Sequence, residues 1–137
     1  MILDEIKALL LADAGVLAQV STRIYDTVLP RGYTLPAVVY HTVTAPGGYT
    51  LQGSTNPSER TAQFDFYAAA APDARLALKA VKAVLQNFKG ILGGGTFVQA
   101  TFWQMEMDLP DSPDTTTTAV GFRIMAHVLF VYVPASS

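Results

Sequence analysis

The chain has 137 residues and a net charge of −2; half of its residues are apolar and 15% are charged. That length suits one domain, and the missing surplus of Lys and Arg argues against a nucleic-acid binder that works by phosphate contacts. No Cys occurs, which excludes disulfides, thiolate metal sites and Cys nucleophiles.

Ile2, Ile6, Leu9 and Leu10 recur at helical spacing around Asp4, Glu5 and Lys7. This predicts a first helix with acids in its first turn, where the helix dipole favours them. A secretory signal needs positive charge there, so the segment reads as an ordinary helix of a protein made in the cytoplasm. Asp13 is placed to cap a short second helix whose apolar side is Val16, Leu17 and Val20. Residues 21–30 read as a connector, with Ile24 and Tyr25 packed onto the body. After a turn bracketed by Pro30, Gly32 and Pro36, residues 37–43 are mostly β-branched and aromatic and predict a strand.

Residues 45–60 hold Pro46, Gly47, Gly48, Gly53, Asn56 and Pro57, and predict a long irregular loop. Such loops are uncommon in compact domains and usually carry function. Tyr49, Leu51 and Gln52 within it are candidate contacts for something outside the domain. Ala62, Phe64, Phe66 and Ala68 then alternate with Gln63, Asp65 and Tyr67, the pattern of a strand with one buried face. Pro72 suits the first turn of a helix. Leu78, Val81, Leu85 and Phe88 form one stripe of that helix, and Arg75, Lys79, Lys82, Gln86 and Lys89 the opposite one. Gly90 is expected to end it in the left-handed conformation. Residues 96–108 predict a strand with Phe97, Phe102, Trp103, Met105 and Met107. Residues 109–118 predict a second loop, with Asp111 and the run Thr115, Thr116, Thr117 and Thr118. Residues 119–133 predict the last strand, with Val120, Phe122, Ile124, Ala126, Val128 and Phe130 on one face.

The order is helix, short helix, strand, strand, helix, strand, strand. It predicts an α+β fold over residues 1–137: a mostly antiparallel sheet packed by one long amphipathic helix and an N-terminal helical segment. The last two strands, roughly 12–15 residues against a usual 5–6, reach past the domain's own core. Their ends are edges that a neighbouring subunit can cover. Burial between subunits also accounts for the apolar surplus, because no apolar run approaches the roughly 20 residues of a spanning helix.

Chemistry finds little purchase. The cluster of Gly90, Gly93, Gly94 and Gly95 leaves a helix and enters a strand, whereas a phosphate loop follows a strand and opens a helix; it reads as a cap and joint. His41 and His127 lie in separate strands; with Asp65 they are the one set that can converge into a ligand or catalytic pocket. Glu106 and Asp108 point the same way on a strand, as paired carboxylates or as solvated ones. The basic stripe of the long helix reads as a solvent-facing surface. No Ser lies in a Gly-x-Ser-x-Gly elbow. No catalytic residue, cofactor or metal is expected.

One series of segments resembles a known family from about Ile2 to Tyr132. It begins with Leu9-Leu10-Leu11-Ala12-Asp13 and Arg23-Ile24-Tyr25, followed by Leu35-Pro36-Ala37-Val38-Val39-Tyr40. Gln63-Phe64-Asp65-Phe66-Tyr67-Ala68 comes next, then the helix closing with Phe88-Lys89-Gly90, and Leu92-Gly93-Gly94. Their order and spacing resemble the phage tail-completion proteins, which include tail terminators and tail-to-head joining proteins of long-tailed phages. The resemblance implies a structural, non-enzymatic subunit of the virion that forms a six-fold ring at the head-proximal end of the tail. Its implied partners are other copies of itself, the tail-tube protein and the head-tail connector protein; DNA meets it only as cargo passing through the ring. In such rings loops contact the neighbour or the tube, which points to residues 47–55 and 111–118, and within them to Tyr49, Leu51, Gln52, Asp111, Thr115 and Thr116. A head-side connector ring is the alternative, and gene order beside the tail-tube gene separates the two.

Overall fold

A computed structural model describes residues 2–27, 36–44, 49–50, 53–54, 58–68, 70–109 and 122–133. Helices α1 (Ile2–Leu11) and α2 (Ala14–Val20) lead into β1 (Ile24–Asp26) and β2 (Ala37–Thr44). A two-stranded hairpin, β3 (Tyr49–Thr50) with β4 (Gly53–Ser54), precedes β5 (Ser58–Ala68). Helix α3 (Ala71–Leu85), β6 (Gly90–Ile91), β7 (Phe97–Leu109) and β8 (Phe122–Val133) complete the order.

The main sheet has six strands in the order β1-β2-β5-β8-β7-β6. The fold is α+β, and the sheet is mixed: β1 runs parallel to β2, and every other pairing is antiparallel. The helical layer holds three helices: α3, the longest and amphipathic, and α1 and α2 of the N-terminal segment. In α1, Ile2, Leu3, Ile6 and Leu10 are buried; in α3, Ala74, Ala77, Leu78, Val81 and Leu85 are. They meet Val38 and Tyr40 of β2, Phe64 and Phe66 of β5, and Ile124, Ala126, Val128 and Phe130 of β8 in one core. Burial of each large side chain there, such as Phe64, Phe66 or Phe130, contributes about 1.5–3 kcal/mol.

Asp13 caps α2 as its position predicts, its carboxylate accepting from the Val16 amide at 3.0 Å. Leu17, expected on the apolar side, is exposed; Val16 and Val20 alone point inward. Residues 24–26, read as connector, form a strand, because Ile24 is fully buried and the Arg23 carbonyl accepts from the Val38 amide at 2.9 Å. The irregular stretch 45–60 contains the β3–β4 hairpin, and β5 starts within it at Ser58. Helix α3 ends at Leu85, before Gly90. Its left-handed residue is Asn87, at φ 62°, and Asn is the other side chain that this position tolerates. Gly90 instead opens β6. The last strand is described over Phe122–Val133, and residues 119–121, where it was expected to start, lie outside the described residues.

Candidate functional site

The two faces of the sheet differ in what covers them. Register puts Val38, Phe66, Ile124 and Asp108 in one row across β2, β5, β8 and β7, and Tyr40, Phe64, Ala126 and Glu106 two positions on. This is the face under the helices. The opposite face carries Val39, Asp65, Met125 and Met107 in one row, and His41, Gln63, His127 and Met105 in the next. Among the described residues no helix lies on it. Towards β7 it is open and apolar: Phe102 is 51% exposed, Met107 43% and Met105 36%. Large apolar side chains grouped on one exposed strand mark an interaction surface more often than isolated ones do.

Phe102 and Met105 are three residues apart yet share a face, because β7 is bulged. Trp103 and Met105 oppose consecutive residues of β8, leaving Gln104 as the extra residue; Gln99 is extra in the same way. The bulge at Gln104 also brings Trp103 and Glu106 together on the helix side, where the indole Nε1 donates to the Glu106 carboxylate at 2.9 Å. Lys82 of α3 reaches the same carboxylate at 2.7 Å and lies 5.7 Å from the Trp103 ring centre. Arg75 approaches Asp108 at 3.6 Å. Glu106 and Asp108 do point the same way, and what they meet is the basic stripe of α3. That stripe is therefore not wholly solvent-facing, since Lys82 and Arg75 pair with the two acids of β7.

Between the apolar strand and β2 runs a polar strip. The Gln63 amide donates to both oxygens of Asp65 at 3.1 Å, so its carbonyl faces the Nε2 of His127 at 3.2 Å, and that nitrogen is the donor. Asp65 is only 4% exposed. The Arg123 guanidinium approaches it at 3.9 Å and stacks 5.8 Å from the centre of the Tyr67 ring. A buried carboxylate needs such partners, and here they come from the same face of the sheet, Gln63 from β5 itself and Arg123 from the adjacent β8.

His41, Asp65 and His127 do lie on this one face, with Gln63 between the two histidines, but they do not converge on a cavity. Asp65 is occupied by Gln63 and Arg123, and among the described residues no group of three or more His, Asp or Glu could hold a metal. His41 instead lines an open cleft of about 520 Å³ with Leu3, Asp26, Thr27 and Thr42. On the helix side of the same strands, burial and then the charges of Asp26 and Asp4 push the Tyr40 hydroxyl up to about 12. It stays protonated at neutral pH and acts as packing, not as an acid. The glycine cluster forms the β6–β7 turn, and the Glu5 carboxylate of α1 fills the space beside Gly94, accepting a hydrogen bond from Thr96 Oγ1. It is a socket for a helix side chain and not an anion cradle.

Of the residues predicted to make outside contacts, Tyr49 lies in β3; Leu51, Gln52, Asp111, Thr115 and Thr116 lie outside the described residues. The exposed Phe102, Met105 and Met107 were visible in the sequence as members of a strand, but not as one surface. No described helix is long and apolar enough to cross a membrane.

Residues 4–128 match the family described as Tail completion protein gp17. No curated protein matches the chain. Among solved structures, a chain of the virion of a native gene transfer agent particle superposes with a TM-score of 0.70 at 18% identity, covering 93% of this chain and 90% of that one. At that identity the likeness is one of fold.

Proposed function

We propose that this chain, which belongs to the Tail completion protein gp17 family, works by assembling into a ring at the head-proximal end of the phage tail. There it ends the tail tube and presents a surface to the head connector. As a tail completion protein it is a structural component of the virion, and the fold it shares with a chain of a gene transfer agent virion agrees with that.

The observation that carries the ring is the open, apolar face of β7, where Phe102, Met105 and Met107 stay exposed, while the helix face of the same strand carries Glu106 and Asp108 in ion pairs with Lys82 and Arg75. A heterologous contact that closes after a fixed number of copies needs such a surface at one margin of the subunit and a mate at another. Six copies follow from the family resemblance.

Deletion of the gene in the phage tests the reading, with tails examined by electron microscopy and the purified protein sized by light scattering at rising concentration. Tubes of uncontrolled length that fail to join heads, and a ring-sized species, are the expected results. Normal, head-competent tails together with a persistently monomeric protein would defeat it. A monomer alone would not, because a ring can close only on the tube.

A further inference from the structure

Among the described residues, the two margins of the six-stranded sheet end at different heights. On one margin β1 adds Ile24, Tyr25 and Asp26 beside Val38, Val39 and Tyr40. Followed across the sheet, those are the rows of Asp108, Met107 and Glu106 on β7. On the other margin β6 pairs only with Phe97 and Val98. From residue 99 to residue 109, β7 has no partner on its far side among the described strands. So where β1 projects from the first margin, the second offers an edge that no described strand pairs. Among the described residues the reverse also holds: β2 is described as far as Thr44, which shares its row with Thr61, Leu129 and Phe102, short of the rows where β6 projects. The two outlines are complementary steps.

Strand direction agrees. β8 runs opposite to β7, β5 opposite to β8, and β2 opposite to β5; β1 follows β2. β1 and β7 therefore run in opposite directions. A rotation about an axis along the strands preserves direction. Copies related in that way bring β1 of one beside β7 of the next as an antiparallel pair, the geometry that satisfies bare N–H and C=O groups directly.

The geometry points to strand pairing between copies of this chain: β1 of one copy adds to the open edge of β7 of the next, with Tyr25 opposite the neighbouring copy's Met107 on the face away from the helices. This rests on the ring reading and says which margins meet. Each copy offers one projecting and one receiving edge, so the contact repeats around a ring and never caps itself as a two-fold dimer. It covers Met107 and, one position along that face, Met105. On the helix face it sets Asp26 opposite the neighbour's Glu106, and Lys82, 2.7 Å from Glu106, is the cation between two acids. Assembly is thus expected to weaken in Lys82→Ala and at high salt.

The chain has no Cys, so introduced thiols report cleanly. Directly opposed antiparallel residues bring their Cβ atoms close to disulfide reach. Oxidation of concentrated Tyr25→Cys/Met107→Cys protein, and of virus particles carrying it, is read on non-reducing gels. The expected result is a covalent ladder running beyond the dimer, or the same ladder from Tyr25→Cys/Met105→Cys if copies are offset by two residues along the strands. The single variants stay uncrosslinked, as does Asp26→Cys/Met107→Cys, whose thiols lie on opposite faces; melting curves confirm that each variant folds. If rings form by light scattering and microscopy but neither Tyr25→Cys pair crosslinks, edge pairing is overturned while the ring stands. If no assembly forms in solution or on tails, the ring reading fails and the pairing falls with it.

Discussion

Replacing Gly94 by Ala isolates the contact that ties α1 to the β6–β7 turn. A Cβ built on Gly94 would stand 1.9 Å from Oε1 and 2.7 Å from Cδ of Glu5, so the carboxylate must leave. The backbone sets no obstacle, since the left-handed glycine of that turn is Gly95, at φ 97°. The displaced atoms are the end of a flexible, partly exposed side chain, which can swing towards water, so the clash itself is cheap. The cost is what the carboxylate leaves behind: Thr96, 5% exposed, loses the charged acceptor of its hydroxyl. Loss of one charge-assisted hydrogen bond at a buried hydroxyl costs about 1–2 kcal/mol. For a domain of this size that lowers the melting temperature by roughly 3–6 °C. Urea and thermal unfolding of Gly94→Ala, Glu5→Ala and the double variant form the decisive cycle. With Glu5 already truncated, Gly94→Ala should cost nothing or stabilise by up to about 1 kcal/mol through the reduced entropy of the unfolded chain. An equal loss in both backgrounds would refute the reasoning, because the carboxylate would then not be what the glycine accommodates.

Met105→Lys puts a charge on the open face of β7 and should weaken self-association by at least about tenfold in sedimentation equilibrium, while the monomer's melting point shifts little because the side chain is already exposed. Asp65→Ala strips the Gln63 amide and the Arg123 guanidinium of a buried carboxylate, and should cost about 2–3 kcal/mol in urea unfolding. Tyr40 holds its proton in the folded state up to about 12, against 10.0 as the ordinary value. The unfolded chain then releases a proton that the folded one keeps, so stability is intact below pH 10 and falls between about 10 and 12, by on the order of 3 kcal/mol. Tyr40→Phe should flatten that fall, as measured by denaturant melts across the alkaline range.

How much of this molecule is legible in its sequence depends on whether a pattern survives long enough to be counted. β5 is legible because Ala62, Phe64, Phe66 and Ala68 keep strict alternation against a single helical layer. α3 is legible because its apolar stripe, Ala74 to Leu85, faces the sheet for three turns. β1 is not, since three residues hold too little periodicity, and the parallel pairing that makes them a strand is a non-local contact with β2. The start of β5 is hidden for another reason: Glu59 and Arg60 read as loop, yet Arg60 is held in the sheet by Thr42, its guanidinium donating to Oγ1 at 2.8 Å. The end of α3 offered two residues able to take positive φ, and local spacing does not tell Asn87 from Gly90.

The candidate surface suffers most from this limit. Two bulges shift the phase of β7 twice within thirteen residues, so Phe102 and Met105 look like opposite faces while they are one. The same phase shift puts Trp103 and Glu106 on the other side, in contact with each other and with Lys82. A bulge on an edge strand ordinarily bends the edge and discourages pairing. Here both bulges lie above the stretch from Met105 to Leu109, which keeps unbroken one-to-one register with β8. The regular part of the edge is thus the part opposite the height of β1, and the irregular part is where a neighbouring sheet would offer no projecting strand. Bulges in those positions restrict where another chain can add, which favours one register of assembly over indiscriminate strand addition.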